Sequence, residues 1–298
     1  MASKIASPPD MAAHMLADLL RDIVTGGRQP LDAPDISDEV AVHDLRKAFK
    51  RWRAILRLIA PAIGEDAERM RIEARDLARE LATARDGRAA LEALADLGGD
   101  LPDLSARSQA NIKEKLARIG AGAEAASLAP MHKVRIGEAW TRAADAIARW
   151  PIERFDSKEA TRQLAATYRR VRTAIPPDWS TASPEALHRF RQRVVEHRHQ
   201  MELADPLWPK LMRVWISEAQ RLRDRLGAHQ DLAVLRRLTG PHEPLAHWRS
   251  RLVPLIEARQ AAHVAIARRL AGRLFAENPK AFRRRLAALW EHHAEGRD

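Results

Sequence analysis

One stretch of the chain shows a clear helical pattern of apolar side chains. Between residues 42 and 59, apolar residues recur at alternating intervals of three and four, which places them in one seam along an α-helix. Beside the seam runs a second line of side chains with the same spacing, and its members are basic. The seam consists of Val42, Leu45, Phe49, Trp52, Leu56 and Ile59, and the basic line of His43, Arg46, Lys50, Arg53 and Arg57, flanked by Lys47 and Arg51. We therefore predict an amphipathic helix with a cationic face.

The cationic face is costly for an isolated helix. Like charges four residues apart, such as Arg46 with Lys50 and Lys47 with Arg51, each cost roughly 0.2 to 0.5 kcal/mol. Asp44 is the only acid within residues 42–59. The missing negative charge is therefore expected to come from other helices or from a ligand.

A second stretch, residues 187–203, repeats this design. At an offset of 145 residues and without a gap, His43 aligns with His188 and Arg46 with Arg191. The same offset pairs further identical residues: Ala41 with Ala186, Arg53 with Arg198, Leu58 with Leu203, Pro61 with Pro206, Glu73 with Glu218, Leu77 with Leu222, Leu81 with Leu226 and Asp86 with Asp231. We interpret these matches as an internal duplication.

Glycine and proline divide the rest of the chain into further helices. In the first half we predict helices over 10–24, 37–59, 65–97, 105–125 and 131–150. In the second half we predict a helix that starts at Asp156-Ser157-Lys158-Glu159 and leads into 163–174, followed by helices over 184–203, 207–239, 245–274 and 279–294. Ser183 is predicted as the N-cap of the second basic helix, with Pro184 in its first turn.

No segment of the sequence has the alternation and turn residues of a β-hairpin. The fold class is therefore predicted to be all-α, with two pseudo-symmetric helical bundles, residues 1–150 and 151–298. If the bundles pack symmetrically, the two cationic helices face one another across a basic groove or pore.

The composition limits the classes of partner and of catalytic or metal site that the chain could have. The 298 residues carry 51 Lys and Arg against 40 Asp and Glu, a formal charge of +11, which favours polyanionic partners. The chain has no cysteine, so thiol catalysis and Cys-ligated metal sites are excluded. We find neither the apolar core of a signal peptide nor a run of residues that would span a membrane. The expected location is the cytoplasm.

The ordered set of motifs resembles one known family. The set comprises His43-x-x-Arg46-x-x-x-Lys50-Arg51-x-Arg53, then Arg85-Asp86, then Tyr168-Arg169-Arg170-Val171-Arg172, then His188-x-x-Arg191, and finally the segment from Leu226 to Leu235. Together these motifs, which span nearly the whole chain, resemble the CHAD family, the conserved-histidine α-helical domain. This resemblance implies paired four-helix bundles and a basic surface that binds inorganic polyphosphate without catalysis. The Glu-x-Glu-x-Lys signature of the triphosphate-tunnel domain that often accompanies the family does not occur here, so we expect a stand-alone member.

The resemblance also implies the contact residues and the physical character of binding. Repeated cations and forked guanidinium donors suit a linear phosphate chain, and affinity should fall with salt. Because histidine gains charge as the pH falls towards about 6.5, binding is expected to strengthen in mild acid. Val195 and His199 depart from the family pattern, which has Lys and Tyr at these positions. The predicted polyphosphate contacts are His43, Arg46, Lys47, Lys50, Arg51, Arg53, Arg169, Arg172, His188, Arg191 and Arg198; no cofactor is expected.

Other readings of the sequence remain open. A nucleic-acid binder would use the same basic face for backbone phosphates and is the main alternative. A metal site would combine histidines with carboxylates, although the cationic neighbours disfavour it; its ligands would be His43, His188, His229, Asp86 and Asp231. A third reading is an adaptor that docks on polyphosphate granules or on an acidic protein through the arginines after Pro244, namely Arg268, Arg269, Arg273, Arg283, Arg284 and Arg285.

Overall fold

The structure, a computed structural model, describes residues 11–33, 35–81, 85–98, 104–124 and 129–295. These residues form eleven α-helices and no strand, which confirms the predicted all-α class. None of the described helices is long and apolar enough to cross a membrane. In chain order the helices are α1 (Met11–Asp32), α2 (Asp38–Ile63), α3 (Glu65–Glu80), α4 (Arg85–Asp96), α5 (Ala106–Glu124), α6 (Pro130–Arg149), α7 (Ser157–Ala174), α8 (Pro184–Gln200), α9 (Pro209–Arg237), α10 (Arg249–Leu274) and α11 (Pro279–Glu295).

The two basic helices, α2 and α8, begin in the same way. The Ser37 hydroxyl accepts a hydrogen bond from the backbone N–H of Val40 at 3.4 Å, and the Ser183 hydroxyl accepts one from Ala186 at 3.2 Å. Each bond satisfies a backbone donor that the first helical turn leaves without a partner. The predicted N-cap at Ser183 is therefore confirmed.

The predicted apolar seam of α2 lies in the main core. Leu45, Phe49 and Trp52 are buried, and Val42 is half-buried at the edge. The Phe49 ring stacks on Trp140 of α6 with ring centroids 5.1 Å apart. Burying a side chain of this size stabilises the fold by roughly 1.5 to 3 kcal/mol. This packing fixes the rotation of α2 and turns its cationic line away from the core.

Apolar packing joins the two halves of the chain. The main core takes residues from α1, α2, α6, α7, α8 and the helices that follow. A second cluster combines α4 and α5 of the first half with α9 and α10 of the second, through Leu94, Ile112, Leu232 and Ile256. Both clusters therefore cross residue 150. The duplication, and the division of the chain that it suggests, stay predictions.

Three predicted helix boundaries are wrong. Helix α1 continues through Gly27 to Asp32. Gly27 is not a helix end here but makes room for Trp140, because a Cβ atom at this position would lie 2.5 Å from the Trp140 ring. Helix α2 passes Pro61 and ends at Ile63, before Gly64 with φ of 90°. The single helix predicted over 65–97 is two helices, α3 and α4, because α3 ends at Glu80 and α4 begins at Arg85.

Helices α2 and α8 lie against each other, as expected for a site between the two halves. The Gln200 side chain of α8 donates a hydrogen bond to the backbone carbonyl of Ala54 at 2.7 Å, and Arg57 forms a 2.8 Å ion pair with Glu196. The Gln200 bond is buried, so it fixes the contact between the helices. The cationic lines of both helices are thereby held next to each other.

Candidate functional site

A groove of about 940 Å³ lies between helices α2, α4, α8 and α9. It brings together six of the residues predicted from the sequence. Four of them come from α2, where His43, Lys47 and Lys50 are exposed and Arg46 is half-buried. The other two, Arg191 and Arg198, come from α8. The groove therefore joins the cationic lines of the two basic helices, although α8 contributes fewer residues.

Arg191 is held against helix α9. Its Nη1 donates a hydrogen bond to Oε1 of Gln230 at 3.2 Å. Its guanidinium group lies over Gly227, where a Cβ atom would be 3.3 Å from Nη2. The segment 226–235, which resembles a family motif, thus supplies both a hydrogen-bond acceptor and the space for a groove cation.

Arg198 belongs to a buried polar network at the floor of the groove. Its Nη2 lies 3.0 Å from Nε2 of His199, whose Nδ1 is 3.0 Å from Oε1 of Glu202. Burial lowers the pKa of His199, against the opposing effect of its hydrogen bond to Glu202. Burial raises the pKa of Glu202, but the hydrogen bond from His199 and the charge of Arg51 outweigh this effect and lower it. Glu202 is therefore a charged carboxylate, and through His199 it holds Arg198, one of the groove cations.

Arg51, predicted as a ligand contact, is bound within the protein. Its Nε donates to Glu202 at 2.5 Å and its Nη1 to Asp22 of α1 at 2.6 Å. Burial lowers the pKa of Arg51, but the charges and hydrogen bonds of these two carboxylates raise it overall. Arg51 does not line the groove, and its contacts connect α1 and α2 to the turn after α8.

Four other predicted contacts also lie away from the groove lining. Arg172 donates to the backbone carbonyls of Phe275, Ala276 and Glu277 and so holds the turn between α10 and α11. His188 is exposed and forms a 2.8 Å hydrogen bond with Gln192. The remaining two are Arg169, exposed on α7, and Arg53.

Arg53 lies among other arginines of α2 and α3. Burial lowers its pKa, and the positive charges of Arg71 and Arg57 lower it further. Its Nε is buried and has no hydrogen-bond partner among the described residues. The offset of 145 equates Arg53 with Arg198, yet only Arg198 lines the groove. The two halves therefore place equivalent arginines in different surroundings.

The groove carries carboxylates that the cationic pattern of the basic helices did not predict. Arg88 of α4 is bonded to Glu39 and, at 3.0 Å, to Glu92, while Arg223 pairs with Asp224 at 2.6 Å. The described lining contains seven Lys or Arg residues and six Asp or Glu residues. These are Arg46, Lys47, Lys50, Arg88, Arg191, Arg198 and Arg223, and Asp38, Glu39, Glu92, Asp96, Asp224 and Asp231. The groove is thus a mixed-charge site, with α4 supplying part of the negative charge.

The α4 wall was not predicted, because the sequence was interpreted as one helix over 65–97 and not as two. Asp231, named above only as a candidate metal ligand, lines the groove. The side chain of Asp86 lies outside the described residues. No cluster of three or more His, Asp or Glu residues able to hold a metal occurs among the described side chains.

The sequence matches one protein family, and the fold is similar to two solved structures. The family model for the CHAD domain matches residues 14–240. PptA from Streptomyces chartreusis has a similar fold, with a TM-score of 0.64 and 20% sequence identity over 91% of this chain and 100% of that chain. The crystal structure of the CHAD domain from the plant Ricinus communis gives 0.53 and 19%, over 96% of each chain. No curated protein matches this sequence.

Proposed function

The chain belongs to the CHAD domain family, and from this premise we propose that it binds inorganic polyphosphate in the groove between α2, α4, α8 and α9. One observation carries the proposal: the groove gathers His43, Arg46, Lys47 and Lys50 of α2 with the arginines of α8. A chain of phosphates offers repeated charges and no base edges. Spaced cations are the groups that such a chain needs as partners.

The strength of binding should come from charge-assisted hydrogen bonds. Each such bond contributes roughly 1.5 to 3 kcal/mol. Arg191 is held in place by Gln230 and Gly227, and Arg198 by His199, so little side-chain entropy is lost when a phosphate arrives. The carboxylates of α4 would repel the ligand, so we propose that the phosphate chain follows the α2 and α8 side of the groove.

Binding is proposed without turnover, and the protein is proposed to act in the cytoplasm or on polyphosphate granules. Wild-type protein incubated with polyphosphate should therefore release no inorganic phosphate. A fluorescently tagged protein should change its location when cells are depleted of polyphosphate. An unchanged location would argue against the granule part of the proposal.

A competition titration tests the ligand class directly. Long-chain polyphosphate, single-stranded RNA and duplex DNA are compared as competitors at equal phosphate concentration and equal salt. We expect polyphosphate to bind most tightly, because the flexible chain can enter the groove whereas duplex DNA presents its phosphates on a stiff surface. Tighter binding of either nucleic acid would refute the proposed function.

A further inference from the structure

The last two helices carry a second group of exposed cations, on either side of the short turn that joins them. It comprises six exposed side chains on the carboxyl-terminal half of α10 and the first turns of α11, which we call the C-terminal cationic face. Its members are Arg268, Arg269, Arg273, Lys280, Arg283 and Arg284. None of the six has a carboxylate within ion-pair distance in the described part of the chain. The pKa of the Asp178 carboxyl is lowered mainly by hydrogen bonds from Ser180, and the positive charge of Arg268 adds a smaller effect. Arg268 does not form an ion pair with Asp178.

The sequence around the C-terminal cationic face contains almost no acidic residues to balance its charge. Between Glu257 and Glu291 the only acid is Glu277, and Arg285 pairs with it at 3.1 Å. The groove, by contrast, has almost as many carboxylates as cations in its described lining. The C-terminal cationic face also lies beyond residues 14–240, which the family model matches. The C-terminal cationic face thus has fewer neighbouring carboxylates than the groove has, and it lies outside both the groove and the segment that the family model matches.

Helix α10 connects this face to the groove. His263 of α10 lies 2.6 Å from Asp96, which lines the groove, and Arg259 lies 3.9 Å from the same carboxylate. A helix rises about 1.5 Å per residue, so Arg268 and Arg273 are about 8 and 15 Å further along α10 than His263. The face therefore begins within a short distance of the groove, at the end of the α4 wall where Asp96 is already bonded to His263 and lies near Arg259.

The chemistry of the face favours a phosphate chain over a membrane or a protein partner. Five of its six cations are arginines, whose forked donors match phosphate oxygens. A membrane-binding helix inserts large apolar side chains, and protein interfaces centre on aromatic anchors. The large hydrophobic side chains that are exposed in the described structure are Val40, Ile72, Met131, Val134, Trp208 and Val214, and none of them lies on α10 or α11.

We propose that the C-terminal cationic face is a second contact for polyphosphate and holds the part of a long chain that extends beyond the groove. This inference rests on the proposed function. A chain already held in the groove reaches the second surface at a high effective concentration, so even weak contacts there raise the affinity strongly. A chain too short to leave the groove gains nothing. The protein should therefore prefer long polyphosphate over short.

The test compares a short and a long ligand. The variant replaces four arginines of the face with glutamine: R269Q, R273Q, R283Q and R284Q. The control variant removes four exposed cations elsewhere: R107Q, K113Q, R149Q and R154Q. Affinities for tripolyphosphate and for long-chain polyphosphate are measured by calorimetry at equal total phosphate, and circular dichroism checks that each variant is folded.

We expect the face variant to lose about tenfold or more in affinity for long chains and to keep its affinity for tripolyphosphate. The control variant should bind both ligands nearly as the wild type does. Equal losses for both ligands, or no loss for long chains, would overturn the inference while leaving the groove intact. Wild-type protein that binds neither ligand would instead refute the proposed function itself.

Discussion

Gly227 on α9 leaves room for the guanidinium group of Arg191 on α8. A Cβ atom at Gly227 would lie 3.3 Å from Nη2 and 3.5 Å from Nε of Arg191. Glycine inside a helix costs roughly 0.5 to 1 kcal/mol relative to alanine. This cost is explained if the glycine is needed to seat a groove arginine against the helix backbone.

The first prediction concerns Gly227→Ala. The added methyl group should push the Arg191 guanidinium a few tenths of an ångström out of its seat and weaken its bond to Gln230. We expect affinity for polyphosphate to fall about three- to tenfold, that is by roughly 1 kcal/mol, without a loss of thermal stability, because alanine also removes the cost of a glycine inside the helix. Calorimetric titration measures the affinity and thermal melting the stability.

A double-mutant cycle separates positioning from a general structural effect. In an Arg191→Ala background, Gly227→Ala should have no further effect on affinity, because the side chain that it displaces is gone. Gly272→Ala on α10 is the control, since a Cβ atom there has no neighbour within 4 Å. Additive losses in the cycle would show that Gly227 does not act through Arg191.

The second prediction concerns the α2 line. Replacing Arg46 and Lys50 together with alanine should weaken polyphosphate binding about a hundredfold, because each charged hydrogen bond is worth roughly 1.5 kcal/mol or more. Helicity should be retained, since alanine is a strong helix former and two repelling charges are removed. Titrations at several salt concentrations measure the affinity and its salt dependence, which should become shallower.

The charge-matched control for this variant is Arg107→Ala with Lys113→Ala on α5, both exposed and outside the groove. It changes the net charge by the same amount. Affinity that falls equally in the two double variants would mean that binding depends on overall charge and not on the groove.

The sequence predicted the helices that build the groove better than it predicted the groove lining. The seam of Leu45, Phe49 and Trp52 depends on periodicity within one helix, and the structure buries all three. The sequence predicted that α1 ends before Gly27, because glycine commonly ends a helix. In the structure this glycine instead makes room for the Trp140 ring, which is a tertiary contact. No local pattern in the sequence reports such a contact.

Tertiary contacts also decided which cations reach the groove. Arg51 carries the same charge as its neighbours, but Glu202 and Asp22 bind it. Arg53 and Arg198 occupy equivalent positions at the offset of 145, yet Arg53 lies among arginines of α2 and α3, whereas the carboxylates Glu202 and Asp224 lie near Arg198. Sequence periodicity locates a residue on its own helix. It does not locate the carboxylates that other helices bring to it.

The third prediction concerns the acidic wall. Glu92→Gln should strengthen polyphosphate binding about two- to fivefold, because a negative charge a few ångströms from a bound phosphate costs about 1 kcal/mol in water. The Glu92 side chain is 60% exposed, so the substitution should not disturb packing. Calorimetry at low salt measures the change.

Glu114→Gln is the matched control for the acidic wall, because Glu114 pairs with an arginine four residues away on α5 and lies outside the groove. It should leave the affinity unchanged. Unchanged affinity in the Glu92 variant would mean that the carboxylates of α4 do not repel a phosphate chain bound on the α2 and α8 side of the groove.

His197 is a fully buried histidine inside an aromatic cluster. Tyr168 and Phe282 stack with ring centroids 4.0 Å apart, and the His197 ring lies 5.8 and 5.9 Å from them. Neither ring nitrogen has a hydrogen-bond partner among the described residues. Burial, with a smaller effect from Arg170, lowers the pKa of His197 to about 3. The folded protein therefore holds this histidine neutral at physiological pH.

The fourth prediction follows from the sign of this shift. Below the ordinary pKa of about 6.5 the unfolded chain binds a proton at His197 and the folded protein does not, so acid favours unfolding. Between pH 7 and pH 5 this linkage should cost about 2 kcal/mol of unfolding free energy. His197→Leu should reduce the stability lost over that range by about this amount, measured by urea denaturation at both pH values. The exposed His14→Leu should lose as much stability as the wild type. If the His197 variant shows the same acid sensitivity as the wild type, then His197 is protonated in the folded protein and its burial is not what makes the protein sensitive to acid.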